Sequence, residues 1–192
     1  MRKEIVSDEQ LVKAYMEGNE ASLKVLVNRH KNKVYSTIFL LVKNKSLAED
    51  LFQDTFIKVI NTLKKGNYRE ENKFLNWVLK IARNLVIDHF RKTAKMPTIT
   101  STEGQDLLQN MNFQEADRET VLIGEQTAER LRHLINQLPQ DQREVLVLRH
   151  YAGLSFKEIA NLTGVSINTA LGRMRYAINN LRKAVEINHI DL

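Results

Sequence analysis

The sequence predicts an all-α protein: two small helical domains joined by a flexible acidic linker. Three observations carry that expectation. Glycine and proline number only seven and two among 192 residues, and β-branched runs are short. Apolar residues recur at spacings of three and four along most of the chain. Finally, three Ser-x-x-Glu/Gln signatures, Ser7 with Gln10, Ser46 with Glu49 and Ser155 with Glu158, read as capping boxes that open helices.

The elements follow in order. Ser7 starts a first helix carrying Leu11, Ala14 and Tyr15. A long apolar-periodic helix runs from about Ala21 to Val42. Ser46 opens a third, ending near Leu63. Lys64 to Asn72 (KKGNYREEN) is a loop with Gly66, and a fourth helix spans about Lys73 to Lys92. Periodicity then fades across Pro97, the TITST run, Gly104 and scattered acids. The expected division is a first domain over 1–95, a linker over 96–124 and a second domain over 125–192. In the second domain one helix ends before Pro139, and another begins there and reaches His150.

Charge is unevenly distributed. Residues 1–95 hold 19 Lys/Arg against 11 Asp/Glu, net +8; the linker carries −4 and the remainder +2. A basic N-terminal half points to a polyanionic partner or to a solvated basic surface. The chain has no cysteine, which excludes disulfides and thiolate metal sites and suits a reducing compartment. No apolar run approaches the ~20 residues of a membrane span, so no membrane insertion and a cytoplasmic location are expected. There is no phosphate-binding glycine loop and no zinc spacing. His30, His89, His133, His150 and His189 are dispersed, as surface or packing residues would be. Neither an enzyme nor a cofactor is expected.

Three stretches carry functional chemistry. In LSFKEIANLTGVSINTALGRMRYA, Ser155 caps a short helix over about Phe156 to Leu162. Gly164 permits a left-handed turn, and Ser166 caps the next helix. This is the helix-turn-helix layout. At 100° per residue, Ile167, Ala170, Leu171, Met174, Ala177, Ile178, Leu181 and Val185 form the expected core stripe. Asn168, Thr169, Gly172, Arg173, Arg175, Tyr176, Asn179 and Lys183 face outward. That outward chemistry either donates to phosphates and base edges or merely solvates the helix.

In FLNWVLKIARNLVIDHFRK, Leu75, Val78, Leu79, Ala82, Leu85 and Val86 share a core face. Trp77, the only tryptophan, falls among Asn76, Lys80, Arg83, Asn84, Asp88 and Arg91. It offers a stacking surface for unpaired bases, or lies beneath another helix. The preceding loop adds Tyr68, Arg69 and Asn72, which could hold an extruded base. In AEDLFQDTFIKVINTL, Asp50, Gln53, Asp54, Ile57 and Asn61 oppose Leu51, Phe52, Thr55, Phe56, Val59, Ile60 and Leu63. An isoleucine rimmed by acids and amides reads as a protein-docking strip or an ordinary solvated face.

These features, in this order and with an acidic linker between them, resemble bacterial RNA polymerase sigma factors of the extracytoplasmic-function group, over roughly residues 8–184. AEDLFQDTFIKVI is similar to the segment that grips the clamp helices of the polymerase largest subunit. FLNWVLKIARNLVIDHFRK is similar to the segment that melts and reads the minus-ten promoter element. LPQDQREVLVLRHYAGLSFKEIANLTGVSINTALGRMRYAINNLRK is similar to the domain that reads the minus-thirty-five element.

The resemblance implies a promoter-specificity subunit whose partners are core RNA polymerase and promoter DNA. Asp50, Gln53, Asp54 and Ile57 would contact polymerase. Tyr68, Arg69, Asn72, Trp77, Lys80, Arg83, Asn84 and Arg91 would lie at minus-ten DNA, with Asp88 there or paired to a basic neighbour. Ser166, Asn168, Thr169, Gly172, Arg173, Arg175 and Tyr176 would face minus-thirty-five DNA. Acids within 103–119 could mimic RNA along its exit path. Many members are held by an anti-sigma factor, a further partner that the resemblance admits. The sequence departs from the family pattern at Leu171 and Gly172, where a basic residue and a serine are common, and at Tyr176, where some members carry a basic residue. Two other readings compete: a stand-alone helix-turn-helix regulator, which needs neither Trp77 nor the acidic strip, and a helical adaptor with no DNA contact.

Overall fold

The computed structural model describes residues 6–68, 73–93, 130–131 and 133–187. The linker expected over 96–124, with its acids, lies outside them, as do Arg69 and Asn72. Every regular element among the described residues is helical. The chain divides into two compact units, Met1–Thr102 and Glu103–Leu192.

Among its described residues the first unit has four helices: α1 (Asp8–Met16), α2 (Glu20–Val42), α3 (Lys45–Lys64) and α4 (Phe74–Thr93). Ser7 and Gln10 form the expected capping box, with reciprocal bonds of 3.2 and 2.9 Å. The start of α3 differs from expectation. Lys43, at φ 60°, turns the chain out of α2 through the left-handed region. Asn44 then caps α3, its Oδ1 accepting from the Leu47 amide at 2.9 Å. Ser46 therefore lies inside the first turn, because the corner is only two residues long and Asn44 supplies the acceptor first.

Helix α2 packs against α1, α3 and α4. Leu26, Val34 and Ile38 meet Val59 and Leu63 of α3 and Phe74, Val78 and Leu79 of α4 in a core where each is at most 1% exposed. Polar residues in this core are satisfied locally. The Thr37 and Thr55 hydroxyls donate to the Lys33 and Leu51 carbonyls at 2.7 and 2.6 Å. A carboxylate clasps α1 onto α2: Asp8 receives Nε2 of buried His30 at 2.7 Å and the Arg29 guanidinium on its other oxygen. The His30 ring also packs 5.7 Å from Phe74.

The second unit contains α5, helical at 130–131 and 133–137, then α6 (Gln140–His150), α7 (Phe156–Thr163) and α8 (Ile167–Ile187). Pro139 stands at the N-cap of α6. The Ser155–Glu158 box forms as expected, with bonds of 3.3 and 2.7 Å. Ser155→Ala is expected to destabilise this unit by about 1 kcal/mol, read as a lower thermal midpoint. Gly164, at φ 72°, ends α7, and its amide bonds to the Ala160 carbonyl at 2.9 Å. Ser166 accepts from the Thr169 amide at 3.0 Å and so caps α8. The α7–turn–α8 pair is the helix-turn-helix.

The core stripe of α8 is narrower than expected. Ala170 and Ala177 are fully buried; Ala177 clusters with Ile135, Leu138 and Leu146, and Met174 and Leu181 pack partly buried against that cluster. Ile167, Leu171 and Ile178 are exposed instead. Two alanines bring the helix close to α6 and α7 along a thin seam, and residues at its margin stay in solvent.

Candidate polymerase and DNA interfaces

The outward face of α3 presents Asp50, Gln53, Asp54, Ile57 and Asn61, all exposed, with Ile57 at 54%. The reverse face anchors the strip through Leu51, Thr55, Phe56, Val59 and Leu63, which are buried. Phe52 is half-buried, 4.9 Å from the Phe56 ring and 5.9 Å from Tyr35. Burial, and secondarily the charge of Glu49, pushes the Tyr35 phenol above its ordinary pKa. The helix is therefore held rigidly behind its carboxylates, which leaves an apolar centre with an acidic rim free for a basic protein surface.

On α4, Val78, Leu79, Ala82 and Val86 are buried as the periodicity predicts; Phe74, outside the expected core face, is buried too, while Leu75 and Leu85 are half-buried. Lys80, Asn84, Asp88 and Arg91 are exposed; Arg83 is half-buried. Asp88 pairs with Arg91 at 3.5 Å, so one arginine of this face is partly neutralised. Trp77 is half-buried. Its cover comes from Tyr68, in the loop before α4, which packs edge-on at 4.6 Å, and from Phe74, the first residue of α4, at 5.9 Å. Tyr68 is itself buried, so it is placed to steady the tryptophan rather than to meet a ligand. The arrangement sets a partly open indole beside exposed Lys80 and Asn84, the combination of stacking surface and polar groups that an unpaired base and its phosphates require.

On α8, Ser166, Asn168, Thr169, Arg175 and Tyr176 are exposed, Tyr176 at 63%. The Ser166 and Thr169 hydroxyls bond each other at 2.8 Å within the cap. Arg173 turns toward α6 and binds Asp141 at 2.6 Å. It lies on the edge of the buried seam, and Asn180, which donates to Gln142 at 2.8 Å, makes a second polar tie to α6. These two ties brace the helix. A Cβ placed on Gly172 would meet nothing within 4 Å. No packing among the described residues accounts for that glycine.

Sequence reasoning missed Asp141 and Asp8 as partners, since both pairings cross between helices. No helix among the described residues is long and apolar enough to cross a membrane.

Known proteins resemble both units of the chain. Residues 26–96 match sigma-70 region 2, and residues 128–175 match sigma-70 region 4. The chain is 31% identical over 172 residues to the RNA polymerase sigma factor CarQ of Myxococcus xanthus, covering 88% of this chain and 92% of that protein. It is 28% identical over 174 residues to the ECF RNA polymerase sigma factor SigX of Bacillus subtilis, covering 90% and 88%. In fold it is similar to CnrH solved with the cytosolic domain of CnrY, at a TM-score of 0.67 and 21% identity over 95% of this chain and 99% of that one. It is also similar to RpoE of Bartonella quintana solved with the anti-sigma factor NepR, at 0.63 and 20% over 86% and 97%. With both sigma regions present in order and relatives matched along nearly their whole length, the chain belongs to the extracytoplasmic-function family of RNA polymerase sigma factors.

Proposed function

We propose a division of labour within this promoter-specificity subunit. Residues 1–95 dock on core polymerase through Asp50, Gln53, Asp54 and Ile57. The same region holds melted minus-ten DNA with Trp77, Lys80, Arg83, Asn84 and Arg91 and with the loop of Arg69 and Asn72, Tyr68 steadying Trp77. Residues 96–124 are the tether. Residues 125–192 read the minus-thirty-five element through Ser166, Asn168, Thr169, Gly172, Arg175 and Tyr176, with Arg173 bracing the helix. The protein works in the cytoplasm beside the polymerase and performs no covalent chemistry. An anti-sigma factor is a further proposed partner, since a structural neighbour was solved with one.

The observation that carries this reading is the match of both halves of the chain to sigma regions, each with an outward face of fitting chemistry. A stand-alone regulator would have no use for the first half. The test is reconstituted transcription: core polymerase plus this protein should initiate at specific sites in a promoter library where core alone does not. Failure to associate with core would refute the reading.

Gly172 gives a sharper check. Gly172→Ala should stabilise the unit by up to about 1 kcal/mol, because alanine is the better helix former and its Cβ has open space. The same variant should bind promoter DNA more weakly. Opposite signs in thermal midpoint and DNA affinity would place the glycine at the interface; equal signs would not.

A further inference from the structure

Leu171 and Gly172 lie three and four residues after Asn168 and four and three before Arg175, so the four form a single patch on the first half of α8. Asn168, Leu171 and Arg175 are exposed, Leu171 at 44%. The fold does not employ Leu171, since the seam beneath runs through Ala170 and Ala177. The neighbouring glycine leaves open space at the same level. A branched apolar side chain thus stands between an amide and a guanidinium, next to a position with no side chain.

In a major groove the base edges carry one apolar group, the C5 methyl of thymine. Asn and Arg are the side chains whose geometry suits adenine and guanine edges. Leucine can neither donate nor accept a hydrogen bond, so set against any other base it would strip water from a polar edge and return nothing. We infer that Leu171 reads a thymine in the upstream promoter element by packing on its methyl group, the gap at Gly172 letting the helix approach closely enough for that contact. Exposed Ile167, one turn earlier on the same flank, extends the apolar strip along the groove. This rests on the proposed role of α8 and adds the identity of a base.

The experiment uses holoenzyme assembled from core polymerase and the full-length protein. An upstream element is first selected from randomised duplexes. Each selected thymine is then replaced singly by deoxyuridine, which removes only the methyl. At one position the wild-type holoenzyme should lose about fourfold in affinity, the equivalent of one buried carbon. Leu171→Ala, exposed and so expected to fold normally, should bind thymine and uracil there equally. Indifference of the wild type to every replacement would overturn the inference, as would an undiminished uracil penalty in Leu171→Ala. In both cases the selected element, and with it the groove-reading role of α8, would stand. Failure to select any upstream element would instead remove that role and the inference together.

Discussion

Asp54→Arg is expected to lower affinity for core polymerase by about a hundredfold or more, while the isolated protein keeps its helical content and thermal midpoint. Asp54 is exposed, so the fold asks nothing of it. At a docked strip, however, the substitution replaces a charge complement by a repulsion, and disrupting a desolvated charge pair costs roughly 2–5 kcal/mol. Asp54→Asn should fall between the two. Co-elution of the Arg variant with core at wild-type concentrations would show that polymerase does not use this face. The rigidity behind the strip strengthens the prediction. With Thr55, Phe56 and Val59 buried under it, α3 has no room to rotate the new arginine away.

The second large effect is expected at Trp77. Trp77→Ala should leave core binding and closed-complex formation intact and reduce promoter opening about tenfold, within the ~1–3 kcal/mol typical of one base stacked on an aromatic ring. Permanganate reactivity of minus-ten thymines reads this directly. Because the indole also rests on Tyr68 and Phe74, truncation must be separated from loosening of the loop. Trp77→Phe retains an aromatic face and most of the packing, and should recover most of the opening. Normal reactivity in folded Trp77→Ala would remove the ring from that role. Recovery of stability without recovery of opening in Trp77→Phe would show that the indole itself is required.

Features fixed by neighbours in sequence were legible beforehand. Ser7 and Ser155 cap their helices because both partners of each bond lie within one turn. Gly164 turns the chain because its backbone geometry suits glycine. Features that depend on contacts between elements were not legible. A helical projection places Arg173 near the polar arc; only the approach of α6 brings Asp141 within reach. The same projection includes Ile167, Leu171 and Ile178 in the core stripe, since periodicity gives the direction of a face and not its width. Spacing alone leaves Trp77 between a stacking role and cover by another helix. The cover proves to be Tyr68, delivered by a loop whose path no spacing rule predicts. Asn44 displaced Ser46 as a cap because two acceptors stood close together and the two-residue corner selected the earlier one.

The narrow alanine seam beneath α8 has a consequence for how such a protein diverges. A helix that rests on its neighbours through Ala170 and Ala177 draws little of its anchorage from the residues it turns outward. Mutations at 168, 171, 172 and 175 are therefore nearly free of folding cost. On the proposed groove-reading role of α8, lineages can drift toward new promoters one substitution at a time, without first acquiring compensating changes in the interior.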